Sequence, residues 1–187
     1  MFIIKNADII EEAANNDAIV CSCNPAMVSA GGVCGRIHRA AGPSLGLYLK
    51  RHHSLGCQVG EVAVTTGYNI QPELTVLHTV APRYEVYGQN LALELLDLCY
   101  NNVFKAASQL ETTRVAVPSL GTGIYRFPVE DAAEVFADVV EAYPDLWITL
   151  LVREQEHERI FREVCAPLVA TPDEWGAERA GVVDGVC

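Results

Sequence analysis

No apolar run in these 187 residues approaches the roughly 20 that a bilayer-spanning helix needs. The opening MFIIKNADIIEEAANND breaks its apolar stretch with acidic and polar residues before a secretory h-region can form. A soluble, cytoplasmic protein with no membrane partner is therefore the expectation. Basic residues are scarce: 13 Lys and Arg stand against 24 Asp and Glu, a net charge of −11. A surface of that sign repels polyanions, so no nucleic-acid partner is expected either. A small anion stays open, because helix N-termini and oriented backbone N–H groups supply positive field without Lys or Arg.

There is no CxxC pair. Seven cysteines lie at positions 21, 23, 34, 57, 99, 165 and 187 without regular spacing, which signals neither a disulfide framework nor a zinc finger. Several sit inside apolar runs, where reduced Cys acts as a small buried hydrophobe. Neither a metal nor a cofactor is expected. Also missing are the Gly-Lys-Ser/Thr ending of a P-loop, a GxGxxG fingerprint with its later acidic residue, internal repeats and low-complexity tracts.

What is present is an alternation of strands and helices. Phe2 to Ile10 reads as a strand leading into a turn, and Glu11 to Asp17 as a short helix-compatible stretch. DAIVCSC is a continuous apolar run ending at Asn24-Pro25, as a buried strand would. Helical spacing follows from Val33 until Gly42-Pro43, then from Ser44 to about His53. GEVAVTTG, LTVLHTVAP, RVAVPSL and LWITLLV read as further strands; Leu91 to Gln109, Val129 to Ala142 and Glu154 to Val164 read as helices. This order predicts an α/β fold, a three-layer α/β/α sandwich on a mixed, mainly parallel sheet. One domain over 1–166 is expected, with a tail over 167–187 that is either packed or disordered.

One kind of object occurs twice. The first is strand, Asn24, loop, Gly31-Gly32, helix, with Gly35 in the first helical turn; the second is strand, PSLGTGIY, helix, with Gly121 and Gly123 flanking Thr122. Glycine lets backbone N–H groups approach a ligand, and a Gly-rich turn entering a helix makes an anion site. Two such loops at neighbouring strand ends would bracket a diphosphate.

IVCSCNPAMVSAGGVCGRIHRAAGP resembles the first signature of macro domains, commonly I-V-N-A-A-N, a glycine-rich loop, then V-D-G-A-I-H-x-A-A-G. VLHTVAPRY resembles that family's V-I-H-T-V-G-P segment, VPSLGTGIYRFPVEDAA its P-S-I-S-T-G-V-Y-G-Y-P second loop, and KNADII its early G-D-I-T element. The resemblance spans about residues 1–165 in the family's order. It implies ADP-ribose, free or on an ADP-ribosylated protein, lying in a cleft across the sheet. It implies that Asp8, with Ile9 beside it, receives the adenine amine and that Asn24 contacts the distal ribose. Gly31, Gly32 and Val33 would cradle one phosphate, and Ser119, Leu120, Gly121, Thr122, Gly123 and Ile124 the other. Tyr125 would pack against the distal ribose.

The departures from the pattern bear on catalysis. Cys21 replaces the first asparagine, and Cys34 replaces the aspartate that hydrolytic members use to activate water. A neutral thiol is a weak base and its thiolate a nucleophile, so hydrolysis by the aspartate route is not implied. Asn24 and Cys34 remain the candidates for catalysis: Asn24 as the holder of a water in substrate-assisted hydrolysis of mono-ADP-ribosyl or O-acetyl-ADP-ribose esters, Cys34, exposed in the cleft, as half of a pair with His38 or of a metal pair with Cys21 or Cys23. The plainer reading makes Cys34 a neutral replacement and His38 a buried, hydrogen-bonded residue. His78 reads as a satisfied core histidine, His52-His53 and His157 as exposed helix faces.

Overall fold

The computed structural model describes residues 1–170; the tail beyond, 171–187, lies outside the described residues. Six strands form one sheet: β1 (Phe2–Lys5), β2 (Ala18–Cys23), β3 (Val62–Thr66), β4 (Thr75–Val80), β5 (Arg114–Pro118) and β6 (Trp147–Leu151). Their order is β1-β6-β5-β2-β4-β3, every pair parallel except β3 with β4. Among the described residues seven helices join them: α1 (Ile9–Ala13), α2 (Gly32–Ala41), α3 (Pro43–His52), α4 (Tyr84–Tyr87), α5 (Gln89–Gln109), α6 (Val129–Val140) and α7 (Gln155–Val164).

The sheet divides two cores. On β2, Ala18 and Val20 face the core built with α5, α6 and α7, while Ile19, Cys21 and Cys23 face the one built with α1, α2 and α3. That is the two-residue alternation of a strand buried on both sides, and it makes the molecule an α/β/α sandwich. The long α5 turns Ala92, Leu96, Cys99, Tyr100, Val103, Phe104 and Ala107 inward at helical spacing. Phe136 of α6 anchors the same side, with edge-on rings of Phe2 and Tyr100 each 5.3 Å away.

Several boundaries differ from the sequence reading. The first strand stops at Lys5, and Ile9 and Ile10 open α1 because the Asp8 side chain caps it, accepting from the Ile10 N–H at 2.9 Å. The α2–α3 break is as read: Gly42 takes φ 80°, and Pro43 starts the next helix where no donor is needed. The single turn α4 has no apolar period and was not expected. Leu47 of α3 is apolar yet 65 % exposed. The first residues of the expected tail are packed: Val169 bridges Phe2 in parallel, and the Ala170 N–H donates to the Phe2 carbonyl at 2.8 Å.

The connections position the site. From β2 the chain leaves through α2 and α3 toward β4, on one side of the sheet and in one direction. From β5 it leaves through α6 toward β6, on the other side and in the opposite direction. Right-handed crossovers require this change of face, and it opens a crevice at the carboxyl ends of β2 and β5.

Candidate functional site

Both glycine loops open into that crevice, a cleft of about 500 Å³. Asn24, Gly31, Gly32, Val33 and Cys34 line it from one side, and Ser119, Gly121, Thr122, Gly123, Ile124 and Tyr125 from the other. Asp8 and Ile9 stand in a smaller recess with Arg36; it shares Val33, Pro118, Leu151 and Arg153 with the main cleft, so the two adjoin.

Each loop presents unpaired donors. Gly31 caps α2 with no side-chain bond, and the N–H groups of Gly32, Val33 and Cys34 have no acceptor among the described residues. Such donors at a ten-residue helix's N-terminus favour an anion. The second loop is held from behind. The Ser119 N–H donates to the Leu151 carbonyl at 3.0 Å, the Ser119 and Thr122 hydroxyls bond at 2.8 Å, and the Phe127 N–H donates to the Gly121 carbonyl at 3.2 Å. With its frame fixed in this way, the N–H groups of Thr122, Gly123, Ile124 and Tyr125 are left without acceptors among the described residues. Glycine is required at 121 twice over: φ is +81°, and a Cβ there would lie 2.5 Å from Cδ2 of Phe127.

Leu120 faces the other way. Its side chain is buried in the core, and its N–H donates to the Tyr100 hydroxyl at 2.8 Å, so neither is offered to a ligand. Tyr100→Phe should remove that acceptor and strand a buried N–H, costing about 2 kcal/mol. Urea unfolding checks this; an unchanged midpoint would show that the hydroxyl does not hold the loop.

Asn24 folds its own loop: Nδ2 donates to the Val28 carbonyl at 2.8 Å, and Oδ1 accepts from the Val28 N–H at 3.4 Å. The Asp8 carboxylate is likewise occupied, one oxygen capping α1 and the other paired with Arg36. Tyr125 is half-buried under the Arg83 guanidinium, 5.4 Å from its ring centre. Ile124 stands at the rim, 87 % exposed.

Cys34 is a correction. It edges the cleft but is only 3 % exposed, and its sulfur joins those of Cys21 and Cys23, all three within 4.8 Å of one another. Bonds from the Cys21 and then the Cys23 thiol hold Cys34 well below the ordinary thiol range, with His38 acting in the same sense; the shared bonds and burial push Cys21 well up. His38 is buried as read, but its Nε2 has no hydrogen-bond partner. His78 is the satisfied core histidine expected, fully buried with Nε2 2.8 Å from the Thr65 hydroxyl. His157 is not on an exposed face: it lines the cleft with Arg153 and Glu154, 3.3 Å from the Glu154 carboxylate. Nothing in the local sequence marks these three; they follow β6, and only the sheet order puts β6 beside β5.

Among the described residues no helix is long and apolar enough to cross a membrane. The family model for the macro domain matches residues 20–136, which contain both loops. A Fusobacterium nucleatum protein is 42 % identical over 119 residues, 64 % of this chain, and the match spans 66 % of that relative's length. A macro domain-containing protein of Mesorhizobium japonicum is 35 % identical over 156 residues, 80 % of this chain and 86 % of its own. Among solved structures, the Oceanobacillus iheyensis macrodomain with ADP superposes with a TM-score of 0.78 at 27 % identity, over 88 % of this chain and 90 % of that one. A mutant of it with ADPR gives 0.79 at 25 %, over 89 % and 91 %. With the sheet order, the paired loops and the matched residues in agreement, this chain belongs to the macro domain family.

Proposed function

We propose that the cleft binds ADP-ribose, free or carried on a protein, with its diphosphate between the N–H groups of Gly32–Cys34 and those of Thr122–Tyr125. The observation that carries this is the pairing itself: two unsatisfied donor sets line opposite sides of one cleft at a sheet switch point. The O. iheyensis macrodomain, solved with ADP and with ADPR, supports the choice of ligand. Adenine falls to the recess at Asp8 and Ile9, and the distal ribose to the end between Asn24 and Tyr125. Binding rather than hydrolysis is the activity we infer, since position 34 carries a thiol turned into a sulfur cluster instead of a carboxylate facing the cleft. Single-turnover release of ADP-ribose from a mono-ADP-ribosylated protein, with Asn24→Ala as control, tests that choice; release that depends on Asn24 would make the protein a hydrolase.

Calorimetry with ADP-ribose, AMP and NAD side by side tests the binding. ADP-ribose should bind at least about 10-fold more tightly than AMP, the terminal ribose and second phosphate adding about 1.4 kcal/mol. Asp8→Asn keeps the helix cap but should weaken ADP-ribose and AMP alike, by about 10-fold, leaving their ratio unchanged. Equal affinity for AMP and ADP-ribose would mean that the distal pocket is not used.

A further inference from the structure

Three sulfurs meet beneath the cleft floor, on the α2 side of the sheet. Cys21 and Cys23 lie two residues apart on β2 and share a face, their Sγ atoms 3.4 Å apart; the first turn of α2 lays Cys34 onto them. Two imidazoles border the group. His78 Nδ1 is 3.5 Å from the Cys23 sulfur, and its Nε2 is held by the Thr65 hydroxyl at 2.8 Å. His38, four residues after Cys34 on the same helix face, buries an Nε2 that has no partner.

We infer that Cys21, Cys23 and Cys34 bind one thiophilic metal ion of the Zn²⁺ class, as three thiolates completed by one bordering histidine nitrogen. Thiolates select zinc over the hard cations Mg²⁺ and Ca²⁺. A tetrahedral site with Zn–S of roughly 2.3 Å and Zn–N of roughly 2.0 Å places its ligand atoms about 3.5–3.8 Å apart. The 3.4 Å and 3.5 Å separations on the strand side are already close to that spacing, so closure falls to Cys34. The Thr65 hydroxyl bonded to His78 is the outer contact that fixes a ligating imidazole's tautomer and orientation. His38 offers the alternative fourth ligand, with a nitrogen that needs a partner. Cys23 and Cys34 line the cleft, which gives the ion a way in and the displaced protons a way out. Each sulfur that still carries a proton gives it to solvent as its metal–sulfur bond forms. The spacing along the chain hides this site, because a Cys-x-Cys pair on a strand is joined by a third ligand from a helix eleven positions later.

The test uses the whole reduced chain, stripped with a chelator and titrated with Co²⁺ and then Zn²⁺. One Co²⁺ per chain should bind with a strong near-ultraviolet thiolate charge-transfer band, and Zn²⁺ should displace it. Cys34→Ser and Cys23→Ala should each weaken Zn²⁺ binding by about 100-fold or more, while Cys99→Ser and Cys165→Ser leave it unchanged. Alanine is what the family's first signature carries at position 23, so that variant should fold. His78→Gln and His38→Gln identify the fourth ligand by which one weakens binding. Absence of the charge-transfer band in the unmutated protein, or Zn²⁺ binding that survives in folded Cys34→Ser and Cys23→Ala, overturns the inference. Neither readout involves ADP-ribose, so its result stands whatever the cleft binds.

Discussion

Gly35→Ala should lower ADP-ribose affinity by about 100-fold, roughly 2.7 kcal/mol, in a protein that still folds but is destabilised by about 2 kcal/mol. Gly35 sits in the first turn of α2, and a Cβ on it would lie 1.9 Å from the Ala30 carbonyl oxygen and 3.1 Å from its carbon. The obstacle is backbone, so no rotamer change relieves it; the loop over residues 30–32 must retreat. That retreat carries Gly31 and Gly32 away from the opposite loop and spoils the donor geometry on which the diphosphate depends. Glycine is needed here for space, not for a left-handed conformation. Gly31→Ala makes the contrasting control. A Cβ at Gly31 meets nothing within 4 Å and its φ is −74°, so stability should stay within about 0.5 kcal/mol. Calorimetric titration and urea unfolding of both variants decide the matter. If Gly35→Ala binds as tightly as the unmutated protein, loop 30–32 does not hold the phosphate.

Buried strands and amphipathic helices could be read from local pattern because each carries its own periodicity. DAIVCSC reads as a buried strand, and its Ala18–Cys23 is one, packed on both faces. The loops were readable for the same reason, since Gly31-Gly32 and Gly121-Thr122-Gly123 each sit between a strand and a helix. What local pattern does not encode is the order of strands in the sheet. The charged neighbours of His157 predict an exposed helix face, yet β6 lies beside β5 and brings it into the cleft. Leu120 was grouped with its loop, although it is the residue that turns inward to reach Tyr100 from α5. A pairing of Cys34 with Cys21 or Cys23 can be imagined from the sequence, but spacing rules describe ligands on turns and do not bring all three together; the sheet and a helix converge to do that. Asp8 shows the two readings coinciding: it is an N-cap, and it stands in the recess.

In chelator-treated protein, stability should fall by about 3 kcal/mol as pH drops from 6.5 toward 4, on account of His78. This imidazole is fully buried between β2 and β3, and burial lowers its pKa from 6.5 to about 4. His38 and His53 press it further down, while the Cys34 thiolate opposes them. Between those two values the unfolded chain holds a proton on His78 that the folded chain refuses. Stability therefore rises with pH across the window, is complete above 6.5, and drains away on acidification as protonation pulls the chain open. Carboxylates add their own acid loss mainly below pH 5, so the upper part of the window isolates the histidine. Two measurements bear on it: urea unfolding in steps from pH 7 to 5, and the imidazole resonances of His78 followed by NMR. A His78 ring that titrates near 6.5 in the folded state would remove the effect altogether, because folded and unfolded chains would then carry the same proton.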